Sequence, residues 1–112
     1  MDILTGGLGD DIFDLNGVAD SGITAATRDQ IADFEGAGVL GGDLIDLAGF
    51  TGTFSFIGSA AFSANGTNEL RYQLDGSGNT IVQIDTDNDT GAESSILLLG
   101  VTTALAATDF VL

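Results

Sequence analysis

The feature that most constrains this chain is a glycine-rich nonapeptide at residues 6–14, which fits the repeat G-G-x-G-x-D-x-U-x, where U is a large apolar residue. Glycines let the backbone turn sharply and expose its carbonyls, Asp11 adds a carboxylate oxygen, and Phe13 begins a strand that points into a core. Because Ca²⁺ takes about six to eight oxygen ligands, the segment predicts a calcium site. Its candidate ligands are Gly6, Gly7, Gly9 and Asp11. An ordinary glycine-rich hairpin is the alternative interpretation.

The same register continues through the first half of the chain in a weaker form. Asp2 lies nine residues before Asp11, and Asp29 lies eighteen residues, or two repeats, after it. Asp43 again precedes an apolar residue by two places, and we expect Asp2, Asp29 and Asp43 to be further calcium ligands. We predict stacked half-turns at residues 2–5, 11–15, 29–34 and 43–47. Since the register already includes residue 2, we expect the chain to be cut from a longer array.

A second concentration of carboxylates lies in the other half of the chain. Its acidic residues are Asp85, Asp87, Asp89 and Glu93. Acidic residues at alternate positions crowd oxygens around one ion, and their spacing resembles the start of an EF-hand loop. However, Gly91 stands one place late for such a loop, and no Glu occupies its twelfth position. Two interpretations remain open, a calcium site and a solvated acidic turn. Asp33 and Asp46, near predicted strand ends, are either polar end residues or ligands.

Composition favours one folded, β-rich domain over residues 1–112 that attracts cations. Asp and Glu number 17 against two Lys and Arg, so the net charge is −15. This charge repels nucleic acid and anionic lipid. Because 44% of the residues are hydrophobic, the chain can still fold around a core. Glycine is abundant while Glu and Lys are scarce, which indicates turns and strands rather than helices.

The residue types that are missing narrow the chemistry further. The chain has no Cys and no His, which excludes disulfides, thiolate metal sites, the usual zinc ligand and the commonest general base. Only a carboxylate pair remains for catalysis, and no pattern places two carboxylates in different environments, so we expect no enzyme activity. The sequence contains no run of 18 apolar residues, so it predicts no membrane-spanning segment. Its amino end lacks the pattern of a secretory signal peptide.

The second half of the chain has alternating patterns typical of antiparallel strands. The expected strands cover residues 69–74, 80–84 and 95–99, with a turn at 75–79 and a helical turn at 102–107. Arg28 and Arg71 are the only basic side chains, and we expect them to pair with neighbouring carboxylates.

Taken in order, these segments resemble the carboxy-terminal region of RTX (repeats-in-toxin) proteins, and most of all the end of serralysin-type metalloproteases. The matching residues are 6–13, 28–34, 43–47, Phe50, 54–58, 85–93, Gly100 and 109–112. The resemblance implies an all-β fold, with a parallel β-roll remnant at 1–50 capped by an antiparallel β-sandwich at 51–112. It also implies Ca²⁺ between successive turns. This chain departs from the family in having one complete nonapeptide instead of an array.

The resemblance implies a calcium-binding module of a secreted, extracellular protein that leaves Gram-negative bacteria through the type I secretion apparatus. The export signal would comprise Asp109, Phe110, Val111 and Leu112, for which the alternative role is a final strand that fills the sandwich. Since alternate turns stack in a β-roll, we expect Asp2 beside Asp29 and Asp11 beside Asp43. The alternative function is a calcium-dependent polysaccharide-binding or adhesive module, as in the tails of epimerases and adhesins.

Overall fold

The computed structural model describes residues 1–64, 66–87 and 89–112, and this part of the chain forms nine short strands and one 3-10 helix. The strands are β1 (Ile3–Leu4), β2 (Ile12–Asp14), β3 (Asp29–Ile31), β4 (Leu44–Asp46), β5 (Phe54–Phe56), β6 (Asn68–Leu74), β7 (Thr80–Asp85), β8 (Ser94–Leu98) and β9 (Phe110–Val111). The 3-10 helix covers Ala107–Asp109. The fold is all-β, as predicted. Among the described residues, no helix has the length and apolar character needed to cross a membrane.

The first four strands alternate between two sheets. Strands β1 and β3 pair in parallel in one sheet, called sheet A, while β2 and β4 pair in parallel in the other, called sheet B. Each pass of the chain therefore contributes one strand to each sheet, which is the coil of a β-roll. All four strands lie within the predicted half-turns.

The second half of the chain extends both sheets. Strands β6, β7 and β8 are antiparallel, and β8 then pairs in parallel with β3. The strand order is β1-β3-β8-β7-β6-β5 in sheet A and β2-β4-β9 in sheet B. The antiparallel strands thus continue the roll's own sheet, a connection that the sequence did not predict.

The hydrophobic core combines apolar residues from both sheets. Its fully buried aliphatic side chains include Ile31, Ile45, Leu70, Val82, Ile84, Ile96 and Leu98, and Phe13, Phe34, Phe50, Phe54 and Phe110 join them. Burial alternates along β2, β3 and β4, as the pleat requires, whereas β7 and β8 bury consecutive residues. Leu74, at the end of β6, is 57% exposed.

The carboxyl end of the chain packs as a strand of sheet B. Strand β9 pairs in parallel with β4, and the Phe110 ring lies 5.6 Å from that of Phe56 between centroids. The helical turn expected at residues 102–107 is wrong in its position, because the 3-10 helix begins at Ala107 and runs directly into β9. The packing role predicted for the last residues is therefore present in the structure.

Candidate metal-binding sites

The loop between β7 and β8 brings four carboxylates together. Asp85 ends β7, Glu93 immediately precedes β8, and the Glu93 N–H donates to the Ile84 carbonyl at 2.9 Å, which closes the loop. One carboxylate oxygen from each of Asp85, Asp87, Asp89 and Glu93 lies within 4.8 Å of the others. This group can hold a metal ion. The arrangement depends on the hairpin, since β7 and β8 bring Glu93 back beside Asp85.

Backbone amides orient these side chains along the loop. Each of the three aspartates accepts, through Oδ1, a hydrogen bond from the backbone N–H two residues later, at 2.7 to 3.0 Å. Glu93 accepts one through Oε2 from the Thr86 N–H at 2.8 Å. These bonds immobilise each carboxylate through one oxygen and leave its second oxygen for another partner.

Asp85 has a polar atom without a hydrogen-bond donor. The residue is fully buried, and its Oδ2 atom receives no hydrogen bond from the residues that the structure describes. Leaving such a group unsatisfied costs about 1–3 kcal/mol, and more when it is charged. Because Asp85 belongs to the group of four acids, a metal ion and the protonated carboxyl of Glu93 are the two partners that can satisfy this oxygen.

The pKa shifts in the loop reflect the same crowding of negative charge. Desolvation raises the pKa of Asp87, and the neighbouring Asp89 charge raises it further. Burial raises the pKa of Glu93, and the neighbouring Asp85 raises it further. The hydrogen bond from the Thr86 amide lowers this pKa but does not cancel the increase. Both shifts indicate that the fully ionised loop is electrostatically unfavourable without a counter-charge.

The predicted stacking of aspartates across successive turns is confirmed. The Asp2 N–H donates to Asp29 Oδ1 at 2.7 Å in sheet A, and the Asp11 N–H donates to Asp43 Oδ1 at 2.9 Å in sheet B. The strand registers place both pairs side by side. The order of the Asp-x-apolar units, together with the alternation of turns that the resemblance to a β-roll implies, therefore predicted correctly which turns are neighbours.

In these pairs the carboxylates act as acceptors for backbone amides. Asp43 is 1% exposed and accepts a second hydrogen bond, on Oδ2, from the Glu35 N–H at 2.9 Å. Asp29 is also buried and joins its turn to the preceding one through the bond from Asp2. This structural role was not predicted from the sequence. The role of both residues as calcium ligands stays a prediction.

The glycine turn of the nonapeptide is held by Asp33. Its carboxylate accepts hydrogen bonds from the Gly6 N–H at 2.9 Å and the Gly7 N–H at 2.8 Å. Gly7 and Gly9 have φ angles of +92° and +90°, which residues other than glycine rarely adopt. The Oδ2 atom of Asp11 is buried beside this turn and meets no donor among the described residues. The turn therefore has the backbone that the repeat requires and one unsatisfied carboxylate oxygen.

Asp109 has a structural role that neither of the two roles predicted for residues 109–112, export signal or final strand, specified. It is fully buried, and its carboxylate accepts hydrogen bonds from the Gly38 N–H at 2.9 and 3.1 Å and from the Ala106 N–H at 2.8 Å. Asp109 thereby ties the carboxyl end to the loop before β4. The signal available in the sequence was an acid placed directly before three terminal apolar residues.

The predicted ion pairs of the two arginines are wrong. Arg28 donates to the backbone carbonyl of Ile23, and Arg71 donates only to backbone carbonyls and amide side chains within the described residues. The register of β6 and β7 explains the second case, because it places Gln83 opposite Arg71.

No protein-family model matches the chain, and no curated protein matches its sequence significantly. The resemblance to RTX proteins therefore depends on the motifs and their order.

Replacing Asp43 by Ala should destabilise the protein because it removes the acceptor for the N–H groups of Asp11 and Glu35. Each unsatisfied group costs about 1–3 kcal/mol, so we expect the free energy of unfolding to fall by roughly 2–4 kcal/mol. Urea unfolding in excess chelator measures this structural effect apart from any metal. The control is Asp10→Ala, which removes an exposed acid and should change stability by less than about 0.5 kcal/mol. Equal losses in the two variants would contradict the proposed role of Asp43.

A pH dependence follows from Asp33. The hydrogen bond from the Gly6 N–H, followed by that from Gly7, lowers the pKa of Asp33 from its ordinary value of 3.8. A lowered pKa contributes stability above the unfolded value, and this contribution is lost as pH falls through the folded pKa. We expect the difference in unfolding free energy between the wild type and Asp33→Asn to be constant near neutral pH and to shrink below about pH 4. Urea titrations across this range, with Asp10→Asn as control, provide the test. If the difference in unfolding free energy between the wild type and Asp33→Asn does not change with pH, ionisation of Asp33 does not contribute to stability in this way.

Proposed function

We propose that this chain is a calcium-binding module that folds when it binds Ca²⁺, and that it forms the carboxy-terminal part of a protein exported by a type I secretion apparatus. Support comes from the parallel coil of the first four strands, from the glycine turn with its positive φ angles, and from the acidic loop. In this proposal the module acts outside the cell, where Ca²⁺ is abundant.

One observation carries the calcium proposal. Three buried side-chain nitrogen or oxygen atoms have no hydrogen-bond partner among the described residues, and two of them are carboxylate oxygens. These two are Asp11 Oδ2 and Asp85 Oδ2, one in each of the sites predicted from the sequence. Folding ordinarily pairs buried polar groups, so two unsatisfied acids at the two candidate sites favour an external cation as their partner.

The donor set favours Ca²⁺ over other common metals. The chain has no Cys and no His, so every available side-chain ligand is an oxygen atom. Mg²⁺ requires near-octahedral geometry at about 2.0–2.1 Å, whereas Ca²⁺ accepts about six to eight oxygens in irregular arrangements. Four converging carboxylates on a hairpin loop, supplemented by backbone carbonyls or water, fit the second requirement.

Net charge explains why folding would depend on the ion. A charge of −15 on 112 residues repels itself most strongly in the compact state. Bound Ca²⁺ would offset this repulsion, and its binding free energy would then add to the free energy of folding. Calcium sites of extracellular modules typically have dissociation constants of about 10⁻⁴–10⁻³ M. The protein would therefore stay destabilised where Ca²⁺ is scarce.

We expect millimolar Ca²⁺ to raise the melting temperature and excess chelator to lower it, as measured by circular dichroism. Asp85→Asn should weaken the calcium-induced increase, because it removes one charge from the group of four acids. Glu35→Gln makes the same change of charge at an exposed residue and should retain the full increase. Identical melting curves in Ca²⁺ and in chelator would exclude the proposal. If both variants lose the calcium-induced increase in melting temperature equally, that increase does not come from calcium binding at the acidic loop.

The proposed export role concerns residues 109–112, where Asp109 and Phe110 are buried in the folded protein. An exporter would have to read this segment before folding, which low cytoplasmic Ca²⁺ would permit. When the chain is expressed with a type I exporter, deletion of residues 109–112 should reduce secretion at least tenfold at equal intracellular protein. Phe50→Ala destabilises the core by about 3–5 kcal/mol but preserves the terminus, so it should be secreted normally. Normal export of the deletion variant would leave the segment only its packing role.

A further inference from the structure

An asparagine followed by a glycine lies on the surface, in the loop after β2. The sequence has two such pairs, Asn16-Gly17 and Asn65-Gly66, and Asn65 lies outside the described residues. Asn16 is exposed, and Asn16 and Gly17 both line a surface cavity of about 360 Å³. Solvent therefore has access to the Asn16 side-chain amide and to the Gly17 backbone, neither of which belongs to the candidate calcium sites.

The Gly17 N–H has no acceptor among the described residues, although the groups on either side of it are bonded. The Asn16 N–H donates to Asp20 Oδ2 at 2.8 Å, and the Gly17 carbonyl accepts from the Asp20 N–H at 3.1 Å. Within the described residues, the Asn16 side chain makes one hydrogen bond, from Nδ2 to Asp14 Oδ2 at 3.4 Å. This distance is beyond the usual range of about 2.7–3.2 Å. The Gly17 nitrogen and the Asn16 side chain are thus both available to react.

The other two asparagines that the structure describes are held more firmly. Asn79 donates through Nδ2 to Asp75 Oδ2 and accepts through Oδ1 from the Gly100 N–H, both at 2.9 Å. Asn68 donates through Nδ2 to the Thr51 carbonyl at 2.8 Å. Each is followed by a strand residue that carries a side chain. Asn16 alone among these three combines a weakly held side chain with a following glycine whose amide is free.

We propose that Asn16 is a site of spontaneous deamidation, a covalent modification that consumes only water. Hydroxide removes the proton of the Gly17 nitrogen, and this nitrogen attacks Cγ of Asn16. An N–Cγ bond forms, the Cγ–Nδ2 bond breaks, and the side-chain nitrogen takes a proton from water and leaves as ammonia. Water then opens the five-membered succinimide. Opening at Cγ leaves aspartate at position 16, whereas opening at the main-chain carbonyl leaves isoaspartate, in which the chain continues through Cγ.

Both products change the surface of the roll beside β2. Each adds one negative charge next to Asp14 and Asp20, the two acids that bond to Asn16. Isoaspartate also lengthens the main chain by one carbon between Asn16 and the turn that the Asp20 N–H closes on the Gly17 carbonyl. Because hydroxide generates the attacking nitrogen, the reaction accelerates as pH rises.

Gly17 offers a variant that slows the reaction without disturbing the fold. It is not one of the glycines with positive φ, and a Cβ built on it meets no heavy atom within 4 Å apart from its chain neighbours. Gly17→Ala should therefore leave the melting curve unchanged. Its methyl group hinders the approach of the nitrogen to Cγ, as glycine does not.

The test incubates the full chain at neutral and at mildly alkaline pH, under conditions in which circular dichroism shows it folded. Arg28 and Arg71 are the only basic residues, so trypsin then yields the peptides 1–28, 29–71 and 72–112. Asn16 is the only side-chain amide in the first peptide, and a mass increase from NH₂ to OH in that peptide reports Asn16 alone. Fragmentation of the last peptide measures Asn79 as the internal control.

We expect two products of peptide 1–28, formed faster at the higher pH. One should elute with the peptide of Asn16→Asp, and an isoaspartate methyltransferase should label the other. Conversion of Asn16 should be at least tenfold faster than that of Asn79, and at least fivefold faster in the wild type than in Gly17→Ala. Conversion of Asn16 no faster than that of Asn79 would overturn the proposal. Equal rates in the wild type and in folded Gly17→Ala would overturn the attack by the Gly17 nitrogen.

Discussion

The hydrogen bond from a backbone amide of one turn to an aspartate of a neighbouring turn underlies this fold. Asp29 accepts from Asp2, Asp43 from Asp11, and Asp109 from Gly38, and all three acceptors are buried. The strands are only two or three residues long in the first half, so few ladder bonds are available to connect successive turns. Buried carboxylates compensate by binding amides that would otherwise be unsatisfied.

This use of acids explains how a strongly negative chain can form a compact structure. A carboxylate that accepts backbone N–H groups has a favourable environment for its charge, as the lowered pKa of Asp33 indicates. The acidic loop is the opposite case, since the pKa values of Asp87 and Glu93 are raised. The loop acids also accept backbone amides, but their mutual proximity raises the free energy of the fully ionised state.

The calcium proposal concerns the loop that joins β7 and β8. Four carboxylate oxygens converge there, and Asp85 Oδ2 receives no hydrogen bond from the described residues. The pairing of β7 with β8 positions this site, because it brings Glu93 back beside Asp85.

The sequence by itself determined the all-β class and the half-turns, because alternation along a strand and the Asp-x-apolar units are properties of neighbouring residues. The stacking of Asp2 on Asp29 and of Asp11 on Asp43 followed only when the resemblance to a β-roll supplied the rule that alternate turns are neighbours. Only the tertiary structure decided that β8 pairs with β3, that Asp109 binds the Gly38 amide, and that Arg71 meets Gln83 instead of a carboxylate. Such partners lie far apart in the chain or on separate strands, and an aspartate or arginine has several chemically equivalent partners. Packing alone brings one of them within hydrogen-bonding distance.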